Sequence, residues 1–384
     1  MLMNRFLPLT FAFPFICVNL IAAAPPRGPG LADAIARGRA IVGADIAPQV
    51  PGFAVAVAVD GKIVWSEGFG YADLAAKIPA TPDTRFRIGS ASKPLTSVGL
   101  ALLVERGRID LDAPVQDYIP DFPEKEGVIT TRLLAGHLSG IRNYRGMEML
   151  SDRPFPDLRS GLRIFEDDPL VAPPDTKFSY CSYNWNVIGV VMERAAKEEF
   201  LQYMQDCVFK PLGMAHTRPD RAGAVDPLRT RFYEVDPAGK FITAPPVDSS
   251  YKWPSGGFLS TAEDLARCGS ALLQPGFLKP ESLKLLFTSQ RTSAGKLTNY
   301  GIGWFVGRTM AYHGGDIVGG TSILLLLPSS QTVVAMACNR GPFTVGEDAG
   351  HAVLRKSAGR YSSAVLKKDA LQIAKIFGPL SVIP

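Results

Sequence analysis

The sequence is poor in the residues that metal and redox chemistry require. It holds 5 cysteines and 4 histidines in 384 residues. No C-x-x-C and no H-E-x-x-H occurs, so neither a clustered thiolate site nor a helical zinc pair is encoded, and no cofactor or metal is called for. Cys181, Cys207, Cys268 and Cys338 stand far apart. A chain of this length can bury a sufficient core without crosslinks, and spacing alone leaves any pairing open. Charge is also scarce, at 20% of residues with a net +5. The longest basic stretch is the pair Lys367-Lys368, which argues against a nucleic-acid surface. The G-x-S-x-G elbow of α/β-hydrolases is missing; the nearest approach, Gly320-Thr321-Ser322-Ile323-Leu324, lacks its last glycine. Gly301-x-Gly303-x-x-x-Gly307 misses the dinucleotide spacing, and no repeat or low-complexity segment appears.

An apolar run at residues 6–21 falls short of the roughly 20 residues that span a bilayer, and it carries Pro8, Pro14 and Asn19. Arg5 precedes it and Ala22-Ala23-Ala24 follow. That charged, apolar, small-residue order reads as an export signal over residues 1–24, with Pro25 allowing the cut one residue before Ala24's carboxyl end. A periplasmic or secreted protein is expected, touching a membrane only if the leader is retained.

The rest is ordinary globular text, 46% hydrophobic. Residues 52–59 alternate through Phe53-Ala54-Val55-Ala56-Val57, then meet Asp60-Gly61, then a second run to Trp65. An Asp-Gly pair between such runs predicts a hairpin, because both turn positions need φ > 0. Residues 321–327 are a continuous apolar run, followed by Pro328-Ser329-Ser330 and another run at 332–337, which fits a strand buried on both faces. Between these ends the period turns helical. Leu95, Val98, Leu102 and Leu103 repeat it, as do Trp185, Ile188, Val191, Met192 and Ala195. Ser260-Thr261-Ala262-Glu263 reads as a capping box before Leu265, Cys268 and Leu272. The expected fold is therefore α+β in two lobes. An antiparallel sheet from both chain ends (about 30–80 and 285–360), flanked by helices, lies beside an all-helical lobe (about 81–284). Residues 361–384 are left as a tail.

Ser90-Ala91-Ser92-Lys93 is an S-x-x-K tetrad. Two more matches, Ser249/Lys252 and Ser293/Lys296, read as chance, since only Ser90 opens an amphipathic helix. Spacing of three sets Ser90 and Lys93 on one helix face. The helix start also offers unpaired N–H groups and partial positive charge to an oxyanion. A plain N-cap is the competing reading for Ser90. A serine hydroxyl needs a base, and a lysine serves at neutral pH only with a lowered pKa or a partner. Tyr180, just ahead of the Trp185 helix, is such a partner, unless it is a half-buried anchor. Tyr312-His313-Gly314-Gly315-Asp316 precedes the buried strand. Its glycines allow close backbone approach, and His313 could donate to a substrate carboxylate, manage protons, or be only a turn residue.

Taken in order, S-x-x-K, Y-x-[N/S] and [K/H]-x-G resemble the three motifs of serine β-lactamases and penicillin-binding proteins. Phe86-Arg87-Ile88-Gly89-Ser90, Gly136-His137-Leu138-Ser139-Gly140, Pro211-Leu212-Gly213-Met214, Gly256-Gly257-Phe258-Leu259-Ser260-Thr261 and Tyr300-Gly301-Ile302-Gly303-Trp304 extend the likeness over about residues 35–355. The resemblance implies an acyl-enzyme on Ser90, with Lys93 and Tyr180 as base and acid. It implies an oxyanion hole from the amides of Ser90 and Asp316, and a substrate site lined by Ser182, His313 and Gly315. The substrate would be a small molecule or a peptide-like compound with an ester, amide or D-amino-acid peptide bond. Two departures, Ser182 for the asparagine of Y-x-N and His313-Gly314-Gly315 for K-T-G, look more like certain DD-peptidases, esterases and mitochondrial β-lactamase-like proteases than efficient β-lactamases. The competing class is a non-catalytic or slowly acylating binding, sensing or scaffold member.

Overall fold

A computed structural model describes residues 30–348, 351–356 and 361–378; the export signal read at residues 1–24 lies outside them. The two predicted hairpins form the middle of one antiparallel sheet. Strand β1 (Gly52–Val59) turns through Asp60 and Gly61, at φ 49° and 78°, into β2 (Lys62–Asp73). Beyond β2 lies the short β3 (Ile78–Pro79), and at the other edge stands β4 (Phe305–Val306). Strands β5 (Ala311–Ile317), β6 (Gly320–Leu327) and β7 (Thr332–Cys338) complete the order β3-β2-β1-β7-β6-β5-β4. The two chain ends meet where β1 pairs with β7, from Phe53 opposite Cys338 to Val59 opposite Thr332.

Period-2 geometry sends neighbouring residues of β1 to opposite faces, and each face has its own cover. Phe53, Val55, Val57 and Val59 join Ile323, Leu325, Val334 and Met336 beneath α1 (Leu31–Asp45). The small side chains Ala54, Ala56 and Ala58 face the other way. Later in the chain, α4 (Ala262–Leu273) lies against that face, so closely that a Cβ on Gly269 would stand 2.7 Å from Val333. This helix falls inside the segment predicted as the separate helical lobe. Its stripe of Leu265, Cys268 and Leu272 is buried against the sheet instead. Its cap is also one residue later than predicted: Thr261 accepts from the Asp264 amide at 3.1 Å. Ser260 pairs with Phe86 in a small three-stranded sheet.

The lobe proper is built on α2 (Ser92–Glu105) and α3 (Ser182–Ala196). Residues 92–103 of α2 and 182–192 of α3 are buried without a polar face, as befits helices at the centre of a lobe rather than on its surface. The lobe is not wholly helical. Short strands Phe86–Arg87, Arg218–Pro219 and Phe258–Ser260 run through it, and Tyr233–Val235 pairs in parallel with the late strand Arg340–Asp348. Cys181, Cys207, Cys268 and Cys338 are all free thiols.

The predicted tail is a structural element. Helix α5 (Ser363–Phe377) places Leu366, Ala370, Ile373, Ala374 and Phe377 on the same sheet face as α1. The Phe377 ring stacks on Trp65 with centroids 5.8 Å apart. Because Phe377 is fully buried, Phe377→Ala is expected to cost about 3–5 kcal/mol in denaturant unfolding; a cost well under 1 kcal/mol would mean that the helix is not docked.

Candidate active site

Four segments carry the site. The turn Gly89–Ala91 and the first residue pairs of α2 hold Ser90 and Lys93. The start of α3 holds Ser182, preceded by Tyr180. Strand β5 supplies His313, Gly315 and Asp316. The fourth, the helix Trp253–Gly256 with the turn before it, holds Lys252 and Ser255.

Ser90 is not a helix cap, since neither its turn nor α2 has a side-chain cap bond. Its Oγ accepts from Lys93 Nζ at 2.9 Å. The same ammonium donates to the Ser255 carbonyl at 2.7 Å and to Ser182 Oγ at 3.3 Å. An ammonium has three protons, and all three are spoken for. Lys93 is wholly buried, and burial pulls its pKa down to about 7, with weak opposition from Cys181. A buried charge is disfavoured relative to the neutral form, so this amine is poised to lose its proton near neutrality.

Tyr180 lies alongside, its ring centroid 5.0 Å from Lys93 Nζ. Burial raises its pKa, and the Ser90 hydroxyl only partly counters this; it therefore stays a phenol at neutral pH. Its hydroxyl is buried with no hydrogen-bond partner of ordinary length. The ring is held by His137, 4.3 Å away between centroids. His137 adopts φ 58° and accepts the Cys181 amide on Nδ1 at 3.1 Å, fixing the entry to α3.

His313 stands in the same aromatic wall, 6.1 Å from the Tyr180 ring, but its polar atoms are engaged. Nδ1 lies 2.7 Å from the Gly314 carbonyl, which can only accept, so Nδ1 carries the proton and Nε2 accepts from Tyr300 Oη at 3.0 Å. Burial first, and the Lys93 charge second, lower its pKa to about 3. The role expected for His313, donor to a substrate carboxylate or manager of protons, is not the one its geometry allows. It is a neutral prop for Tyr300 and the Tyr180 wall.

The glycine of the same motif is required sterically. A Cβ on Gly315 would lie 1.8 Å from the Ile88 carbonyl, which also accepts from Ser322 Oγ at 2.7 Å. This contact presses β5 onto the Ser90 turn. Gly89, at φ 50°, leaves room for the Asp316 amide nitrogen, 3.1 Å from where a Cβ would sit. The Asp316 carboxylate turns away, accepting from Ser363 N at 2.8 Å and Ser363 Oγ at 2.9 Å. The strand at the site is thereby tied to the start of α5.

The structure thus brings Ser90, Lys93, Tyr180 and Ser182 into one constellation, with Gly315 and Asp316 on the facing strand. Three contributors escaped sequence reasoning. The Ser255 carbonyl leaves no side-chain signal. Asn143 Oδ1 accepts the Ser182 amide at 3.1 Å, putting an asparagine near the position where Y-x-N would carry one. Lys252 belongs to the second S-x-x-K match, read as chance. It is buried and lines the crevice at Ser90, whereas Ser293 and Lys296 are exposed.

A family model described as Beta-lactamase matches residues 32–358. The chain belongs to the β-lactamase family. Among relatives, it is 34% identical to the serine beta-lactamase-like protein LACTB, mitochondrial, of Mus musculus, over 79% of this chain and 74% of the mouse protein. Among solved structures, it is similar to FmtA from Staphylococcus aureus, with a TM-score of 0.71, 20% identity and coverage of 92% and 93% of the two chains. It is also similar to a D-amino acid amidase from Ochrobactrum anthropi SV3, with a TM-score of 0.72, 21% identity and coverage of 89% and 99%. At those identities the structures speak for the fold, a β-lactamase and penicillin-binding-protein fold. No helix of the described residues is long and apolar enough to cross a membrane.

A lysine whose folded pKa is depressed binds fewer protons folded than unfolded, so stability rises with pH between the folded and unfolded values. Compared with Lys93→Met, the wild-type protein is therefore expected to gain thermal stability as pH rises from about 7 toward the ordinary lysine range. Melting curves of both proteins across that window check this; a constant difference would mean that Lys93 is not a desolvated base.

Proposed function

We propose that this chain is an exported serine hydrolase that opens an ester or amide bond through an acyl-enzyme on Ser90. One observation carries the reading: a buried lysine, lowered to about 7, lies 2.9 Å from a serine hydroxyl that caps nothing.

The bookkeeping of Lys93 indicates how the proton moves. As a neutral amine it keeps two N–H bonds and one lone pair. The Ser255 carbonyl can only accept, so one N–H stays there, and the lone pair is free to face a hydroxyl. It takes the proton of Ser90 as Oγ bonds to the substrate carbonyl carbon and the C=O electron pair moves onto oxygen. The amides of Ser90 and Asp316 would hold that oxyanion, a contribution of about 3–4 kcal/mol for a donor of this kind. Collapse breaks the bond to the leaving group, which takes its proton from the Lys93 ammonium or through the Tyr180 phenol. Water, deprotonated by the same amine, then cleaves the acyl ester and returns the proton to Ser90.

Ester, amide and peptide substrates fit this site better than β-lactams. Ser182 offers no side-chain amide, and His313 is neutral where K-T-G would hold a fixed cation. The relatives support the same class, since one fold neighbour is named an amidase and the mouse relative is called serine beta-lactamase-like. The leader read in residues 1–24 supports export. The crevice at Ser90, lined in part by Tyr144 and Met149, has a free volume of about 30 Å³.

Purified protein is expected to turn over a short-chain p-nitrophenyl ester faster than a chromogenic cephalosporin. Ser90→Ala should lower ester turnover by ~10³-fold or more without loss of the folded melt. A folded Ser90→Ala protein that keeps its turnover would overturn the mechanism; fast cephalosporin loss would make the chain a true β-lactamase. The base must be unprotonated, so kcat/KM for a neutral ester should fall as pH drops below about 7 and level off above it. A profile flat from pH 5 to pH 9 would remove Lys93 as the base.

A further inference from the structure

The Ser90 crevice contains a second buried lysine that the mechanism does not use. Lys252 is 1% exposed and lines the crevice together with Ser90, Ser182, Ser255 and Asp316. Lys93 spends all three protons, but Lys252 does not. Among the described residues its ammonium makes one long hydrogen bond, 3.5 Å to the Met149 carbonyl, and lies 5.0 Å from the centre of the Tyr251 ring. It is in no ion pair with a carboxylate among the described residues. The nearby acids are occupied elsewhere: Asp220 holds Arg87 at 2.7 Å and Arg229 at 3.0 Å, and Asp248 accepts from the Ser250 amide at 2.8 Å. The Asp316 carboxylate across the crevice is turned to Ser363. Burial and the Arg87 charge lower its pKa to about 7, so its ammonium form, with donors to spare, is held only when an anion completes it.

We infer that Lys252 is a specificity residue of the Ser90 site, recognising a carboxylate on the acyl portion of the substrate. The inference rests on the acyl-enzyme reading above. The acyl side is assigned on the Tyr180 route of proton delivery to the leaving group; the neighbours of Tyr180 are His137, Phe305 and His313. Lys252 lies in the turn before the helix Trp253–Gly256, on crevice lining that includes Ser90 and Ser255 but neither Tyr180 nor those three neighbours. A carboxylate fits better than a phosphate, since a single ammonium in so small a crevice matches one negative charge. With His313 neutral, Lys252 is the lysine that lines this space among the described residues, and its ammonium has donors free for a ligand.

The probes are 4-nitrophenyl hydrogen adipate and its neutral methyl ester, compared by kcat/KM. Wild-type protein is expected to prefer the anionic ester by about 10- to 100-fold, the worth of one charge-assisted hydrogen bond. Lys252→Met should erase that preference, mainly through KM, and Lys252→Arg should retain most of it. Equal kcat/KM for both esters in the wild-type protein would overturn the inference, whether or not any variant folds. So would a preference that survives in a folded Lys252→Met protein. Ser90→Ala separates the two readings. If it abolishes turnover of both esters while the wild type shows no charge preference, the hydrolase stands and only the role of Lys252 falls.

Discussion

A lysine ammonium removed from water is the constraint on which the site depends. Lys93 has no solvent to supply its hydrogen bonds, so the protein supplies each one: a hydroxyl from its own helix turn, a hydroxyl from the start of α3, and a carbonyl from the helix Trp253–Gly256. Two of those partners lie 89 and 162 positions from Lys93 in the chain. Their convergence fixes how α2, α3 and the later helix pack against one another. The same dryness gives the amine its chemistry, because the penalty that makes it expensive to bury is the one that lowers its pKa toward neutrality.

The opposite wall of the site is set by steric rather than electrostatic necessity. Strand β5 approaches the Ser90 turn so closely that Gly315 has no room for a side chain, and Gly89 adopts a left-handed conformation beside the Asp316 amide. What holds the strand there is the sheet behind it, continued into α5 by the bonds from Ser363 to Asp316. Stability and site geometry are thus joined through a helix bonded to the site strand at Asp316.

Charge in the crevice is distributed in an unexpected way. Histidine at the third motif suggests a titrating or cationic group, yet burial and its own hydrogen bonds keep His313 neutral. The titrating amines of the site are Lys93 and Lys252, each lowered to about 7 by burial. In the proposed mechanism one is spent on proton transfer. The other is left to read the substrate, which moves recognition from the strand to the helical lobe.

Much of this was legible in residues alone. Asp60-Gly61 and the apolar run at 321–327 named the hairpins of the sheet, because turn chemistry and two-sided burial leave local traces. Ser90 and Lys93 were recognisable because their spacing puts them on one helix face, and Tyr180 because it precedes another helix. What the sequence could not carry was distance between segments. The Ser255 carbonyl has no side chain to signal it, and Lys252 looked like a chance match until folding buried it in the crevice. His313 looked titratable until Gly314 and Tyr300 took both of its nitrogens. The apolar stripe of α5 read as a tail because its partner, the outer face of β1 and β7, exists only once the chain ends pair. By itself the sequence determined most of the elements and, through the order of its motifs, named a candidate nucleophile and base, since those rest on spacing within a few residues. The state of each buried charge was decided by the tertiary structure, because desolvation and hydrogen-bond partners are properties of the packed interior.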